Sequence, residues 1–215
     1  MMKARSRKRQ GVFITFEGVE GSGKSTHIAL LASYLREKRR AVCLTREPGG
    51  TKLGERLRHL ILDLQYSEMD PKTELFLYLA SRVQHLAELI RPALVEGKIV
   101  LCDRFTDATL AYQGYGRALK AAAIRPIVNY AAQGIRPDLT FLLDVAVQEG
   151  LRRLHGRGLP NRLDAEAVHF HETVRKGYLA LAHREPKRFR VISTQGKIGT
   201  VQAKIRESIL HYGLL

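Results

Sequence analysis

Tryptophan is absent from the 215 residues, cysteine occurs twice, and Asp and Glu together number 21 against 36 Lys and Arg. Cys43 and Cys102 sit inside apolar, strand-like runs. Two thiols so placed cannot staple a disulfide framework or fill a cysteine zinc site, and they read as packing residues of a reducing compartment. No apolar run approaches the ~20 residues that a helix needs to cross a bilayer. The basic start, Met1 to Arg9, runs through Gln10 and Gly11 into a strand without the apolar stretch of a secretory signal. A cytoplasmic protein without membrane contact is expected. No Asn-Lys-x-Asp run is present, which speaks against a guanine-reading switch protein. There is no internal repeat, and the only biased tract is the basic head.

The shortage of acids leaves a formal net charge of +15, a value that raises the question of nucleic-acid binding. The cations are spread over helical patterns and middle loops, however, and form no single stripe that could enter a groove. A nucleic-acid partner is therefore not expected. Residues 1–10 read as a flexible basic head and residues 11–215 as one domain, long enough to bury a core without metal or disulfide support.

The apolar run Val12 to Phe16 is followed by Gly18-Val19-Glu20-Gly21-Ser22-Gly23-Lys24-Ser25, and then by an amphipathic helical pattern with Ile28, Leu30, Leu31 and Leu35. Strand, glycine loop, lysine, hydroxyl and helix in this order are the pattern of a phosphate-binding loop. The glycines let successive amide hydrogens turn inward, and the helix adds the positive end of its dipole. Gly18, Val19, Glu20, Gly21, Ser22, Gly23, Lys24, Ser25 and Thr26 form the expected ATP-phosphate set, with Lys24 on the outer phosphates and Ser25 at magnesium.

Four further apolar runs, at Ala41 to Thr45, Ile99 to Arg104, Leu139 to Asp144 and Phe189 to Ile192, alternate with helical patterns. The long pattern from Thr73 to about Val95 has Pro92 near its end, where a kink or break is expected. Tyr112 to Arg117 reads as a glycine-rich connection, and Gly156 to Arg162 as part of a lid at about residues 150–164. Leu53, Leu57, Leu60 and Ile61 share one face of a helix over Lys52 to Leu64. The alternation implies a parallel five-stranded sheet with helices on both faces. Ligands of such a sheet bind at the carboxyl ends of its strands, where the glycine loop, Arg46-Glu47-Pro48, Asp103-Arg104 and Asp144 all fall.

The runs Glu17 to Ser25, Thr45-Arg46-Glu47-Pro48-Gly49-Gly50-Thr51, Asp103-Arg104-Phe105, Ala111-Tyr112-Gln113-Gly114 and Arg136-Pro137-Asp138-Leu139-Thr140, in this order, resemble the thymidylate kinase family from Gly11 to the final helix. The resemblance implies an α/β P-loop kinase fold with a small lid, transfer of the γ-phosphoryl group of ATP to dTMP, magnesium as cofactor, and a homodimer. It implies that Tyr78 lies against the base with Arg82, that Arg104 clamps the acceptor phosphate, that Asp103 lies near magnesium directly or through water, and that Tyr112 crowds the sugar 2′ position. Glu20, Glu47, Pro48, Leu57 and Thr109 complete the implied substrate set, while Asp164 resembles the acid after the lid arginine. Because the loop carries no arginine between Gly18 and Lys24, the family pattern assigns the catalytic arginine to the lid, with Arg157 and Arg162 as candidates. A kinase for another nucleoside monophosphate, or an inactive relative that binds nucleotide or nucleic acid, is the alternative.

Overall fold

The structure is a computed structural model that describes residues 11–154 and 161–213. The basic head and lid residues 155–160, with Arg157, lie outside the described residues. Five strands, β1 (Val12–Glu17), β2 (Val42–Arg46), β3 (Ile99–Asp103), β4 (Leu139–Asp144) and β5 (Phe189–Ser193), form one parallel sheet in the order β2-β3-β1-β4-β5. The central strand pairs Val12 with Ile99 on one side and Ile14 with Leu139 on the other. Every strand therefore points its carboxyl end the same way, and the fold expected from the sequence is the one observed.

Alternate residues of β1 serve the two faces. Ile14 and Phe16 pack with Ile28, Leu31 and Leu35 of α1 (Lys24–Glu37) and Val201, Ile205 and Ile209 of α9 (Ile198–His211). Phe13 packs on the opposite face with Leu86, Ile90 and Phe105. Thr15, between these apolar positions, satisfies its hydroxyl against that of Thr140 at 2.8 Å.

Local chemistry starts the helices that flank the ligand side. The Thr51 hydroxyl accepts from the amide of Gly54 and opens α2 (Lys52–Leu62). Asp70 accepts from the amide of Lys72, and Pro71 takes the first helical position of α3 (Pro71–His85). The helix does not break before Pro92. A π-helical turn at Leu86–Ile90 carries it into α4 (Arg91–Val95), a local register change that accommodates the missing proline amide. Of the apolar face expected on α2, only Ile61 is fully buried, whereas Leu53 and Leu60 face outward. Tyr112 to Arg117 is also not an open connection. After α5 (Thr106–Thr109), Leu110–Gly116 winds as a second π-helical turn before α6 (Ala121–Ala132). The remaining helices are α7 (Val147–Leu154) and α8 (Val168–Arg184).

Helix α8 is seated closely. A Cβ on Gly177 would lie 2.7 Å from Cγ of Tyr115, so the helix approaches the π-helical turn only because no side chain intervenes. The next residue, Tyr178, donates to Glu17 at 2.9 Å, and the amide of Phe105 donates to the other oxygen of that carboxylate at 2.8 Å. Burial and the nearby Asp107 push the Glu17 carboxyl up to about 8 despite those two bonds and Arg104.

Two outcomes follow from the seat of α8. Gly177→Ala is expected to cost about 1–3 kcal/mol through overpacking, read as a lower urea midpoint at constant slope. For Glu17, the folded state keeps a proton that the unfolded chain has already released between its ordinary value of 4.5 and about 8. Stability must therefore fall as pH rises through that window. Urea midpoints of the natural protein should decline across it relative to those of Glu17→Gln, and parallel profiles would refute the buried proton.

Candidate active site

The carboxyl ends of β1, β2 and β3 open onto one cleft. Its larger part, about 310 Å³, is lined by the loop residues Glu20, Gly21, Gly23, Lys24 and Ser25, by Thr26, and by Arg46, Glu47 and Pro48 after β2. Asp103, Arg104, Tyr78 and Asp164 line it as well. A narrower slot joins it, with Glu47, Tyr78, Arg82, Arg104, Thr109 and Tyr112 in its walls. The sequence thus names most of the lining before the fold is known, because a parallel sheet delivers every strand end to one edge.

Gly18, Gly21 and Gly23 all have positive φ, at 140°, 68° and 91°, a region that side chains with a Cβ rarely enter. Gly21 also admits the first turn of α7, since a Cβ there would meet the carbonyl of Gly150 at 1.9 Å. Val19 points the other way, into an apolar cluster with Tyr112, Leu142 and Val145, and anchors the loop to the core. The Lys24 ammonium turns back into the loop, donating to the carbonyls of Gly18 at 3.0 Å and Val19 at 2.9 Å and to the Ser22 hydroxyl. Burial and the positive charge of Arg104 bring its pKa down to about 8.

Arg104 follows β3 with φ of 70°, a left-handed conformation that is costly for a residue with a long side chain. Its guanidinium is held from two directions: Nη2 donates to Glu20 at 2.9 Å and Nη1 to the Tyr178 hydroxyl at 3.0 Å. It lies over the Tyr112 ring, 4.7 Å from the centroid. Glu20 also accepts from the Tyr112 hydroxyl at 2.6 Å, and buried His171 Nδ1 lies 3.2 Å from its other oxygen. Burial raises the Glu20 carboxyl, but Arg104, His171 and Lys24 outweigh it and hold the group well below the usual carboxylate range.

Arg82 is 1% exposed. Its Nε donates to Glu47 at 2.8 Å, and Nη2 donates to the Phe105 carbonyl at 2.9 Å and to Thr109 Oγ1 at 3.0 Å. Nη1 is buried and has no partner among the described residues. His85 and Thr45 extend this network from Glu47 toward β2. Burial raises the Tyr78 phenol, whose ring stands where slot and cleft meet.

For magnesium, the Ser25 hydroxyl donates to Asp103 Oδ2 at 3.2 Å, while buried Asp103 Oδ1 has no partner among the described residues. Among the described residues no group of three His, Cys, Asp or Glu could hold a metal alone. The pair suits an ion that keeps most of its ligands from phosphate and water.

Two expected site residues are placed otherwise. Leu57 is half-buried and lines neither cavity; Arg58 and Leu62 of the same helix line the cleft instead. Arg162 is 4% exposed, with Nε donating to the Ile61 carbonyl at 2.8 Å and Nη2 2.6 Å from Glu74. Its guanidinium faces α2 and α3 and lines neither cavity, and Arg157 lies outside the described residues. Arg153 bridges the Gly21 carbonyl and Thr194, beside a further opening lined by Gly23, Thr26, His27, Ile198 and Val201. The sequence reading left out Glu17, Glu74, His171 and Tyr178. The last two lie seven residues apart on α8, a spacing that puts both on one helix face, but nothing local says which element that face meets.

The family model for thymidylate kinase matches residues 16–205. A thymidylate kinase of Desulfovibrio desulfuricans is 49% identical over 94% of this chain and 96% of its own length. One of Bacillus licheniformis is 44% identical over 93% and 95%. The crystal structure of thymidylate kinase from Ehrlichia chaffeensis superposes with a TM-score of 0.76 at 36% identity, covering 94% of this chain and 99% of that one. On the family model and the extent of these likenesses, the chain belongs to the thymidylate kinase family.

Proposed function

We propose that this chain transfers the γ-phosphoryl group of ATP to the 5′-phosphate of dTMP, giving dTDP and ADP. Family membership supports the reaction. The observation that carries it to residues is the unpartnered Nη1 of Arg82 in the wall of the slot. A buried guanidinium donor without a partner costs free energy, and a pyrimidine carbonyl facing Tyr78 would supply one. Thr109, fixed by its bond from Arg82, presents its hydroxyl to the same edge of the base, and Tyr112 stands below the sugar.

The loop amides and Lys24 hold the ATP phosphates, with Lys24 leaving its loop carbonyls for phosphate oxygens. The opening beside Arg153 and Thr194 takes the nucleoside end of ATP. Arg104 presents the acceptor phosphate, and Glu20 with Tyr178 keeps its fork from turning. An oxygen of the acceptor phosphate attacks the γ-phosphorus, and the bond to the β,γ-bridging oxygen breaks as ADP leaves. The attacking oxygen is already ionised, so no strong general base is needed. Ser25 and Asp103 would hold magnesium, which would supply charge neutralisation for the phosphate oxygens. Arg157 is the remaining lid candidate for the charge that develops on the transferred group.

A homodimer, with the outward apolar residues of adjacent α2, α3 and α6 as its face, accounts for Leu53, Leu60, Phe76, Val83, Ile127 and Tyr130. A cytoplasmic setting fits a chain in which no described helix is long and apolar enough to cross a membrane.

The decisive experiment compares dTMP, dUMP, UMP and AMP as acceptors with ATP and magnesium. The highest kcat/KM should fall to dTMP, and a preference for a ribonucleotide would overturn the assignment. Lys24→Met and Arg104→Met should each lower turnover by at least about 100-fold, the size of loss seen when one electrostatic transition-state group is removed. Near-normal turnover in both would remove those two roles.

A further inference from the structure

Three of the segments that wall the acceptor slot lie far apart in the chain. Helix α3 supplies Tyr78 and Arg82, the π-helical turn supplies Tyr112 and Gln113, and Leu163 comes from the segment before α8. One turn before Tyr78, on the same face of α3, stands Glu74, fully buried. Its Oε1 accepts from Gln113 Nε2 at 2.7 Å and Arg117 Nε at 3.3 Å. Its Oε2 accepts from Arg117 Nη2 at 3.1 Å and lies 2.6 Å from Nη2 of Arg162, the residue before Leu163. Arg117 is pinned in turn by Glu166 at 2.5 Å, and the Arg162 amide donates to the Leu62 carbonyl at 3.0 Å. All three wall segments therefore meet at one carboxylate.

We propose that Glu74 is a positioning residue for the acceptor nucleotide, setting the distance between the α3 wall of the slot and the opposite wall of Gln113 and Leu163. The inference rests on the slot being the dTMP site. The negative charge, and not merely the shape, is what the arrangement requires. A glutamine has one acceptor oxygen, and its amide group would face a guanidinium or an amide donor on the other side. Whichever way the amide is turned, either Gln113 or Arg162 loses its tether, and each loss frees a wall residue. Burial disfavours the charged form of Glu74, but Arg117, Gln113 and Arg162 more than offset that and keep its carboxyl below the ordinary range.

The test is steady-state kinetics and calorimetric dTMP binding for the natural protein, Glu74→Gln and Arg162→Met, with thermal melting of each. Arg162→Met leaves Glu74 paired with Arg117 and Gln113, so it reports on one tether if Glu74→Gln does not fold. KM and Kd for dTMP should rise at least about tenfold, while KM for ATP stays within about twofold, because displaced walls misplace one substrate only. A purely structural role lowers the amount of folded enzyme and hence the apparent kcat, leaving KM for dTMP where it was. That result, or unchanged dTMP affinity in the variants that fold, overturns the proposal. A natural protein that neither binds nor phosphorylates dTMP overturns the functional reading itself, whereas normal dTMP kinetics beside unresponsive variants overturns only the role of Glu74.

Discussion

The ligand end of the sheet depends on pairing each sequestered guanidinium with a carboxylate. Arg82 pairs with Glu47, Arg104 with Glu20, and Arg162 with Glu74, which also holds Arg117. A charge removed from water without a partner costs several kcal/mol, and a site for a nucleotide phosphate cannot be built without such charges. In a chain with a net charge of +15, the acids are the scarce partners. Their placement, more than that of the arginines, decides which cations are buried and held still.

Pairing also explains how Arg104 can be fixed before a ligand arrives. Arg104 sits in a left-handed backbone conformation between Glu20 and Tyr178, so its fork is oriented in advance and little entropy remains to be lost on binding. The strain is offset by a buried frame: Tyr178 reaches Glu17 at the end of β1, and Glu17 holds the amide of Phe105, the residue after Arg104. Helix α8 therefore frames the cleft although none of its residues lines it. Arg188, just beyond that helix, reaches Asp107 and Thr140, tying the far end of α8 to α5 and β4.

Much of this organisation was legible in the residues. Glycine spacing at Gly18, Gly21 and Gly23 specifies a backbone that only glycine adopts readily. Apolar runs of strand length alternating with helices specify a parallel sheet, and that topology brings Glu47, Asp103 and Arg104 to one edge. Two placements were not legible, for one reason. Leu57 and Arg162 were assigned by position along a resemblance, yet a helix face can turn by one residue, from Leu57 to Arg58, without altering the periodic pattern. An arginine in a glycine-rich stretch likewise carries no mark of whether its partner is a phosphate or a buried glutamate. Glu74 carries no local mark of its role, because its three partners lie 39 to 88 residues away.

The sequence alone determined what depends on local geometry and on chain order: the phosphate loop, the strand count, the direction of the sheet and the strand ends that carry the chemistry. Backbone conformation and hydrophobic period are properties of neighbouring residues, so they can be read from them. Only the tertiary structure decided how the charges pair, which lid-side arginine is buried, and that α8 holds Arg104 through His171, Glu20 and Tyr178. Those outcomes depend on distances between residues remote in the chain, and on the loss of water between them, which no local pattern encodes.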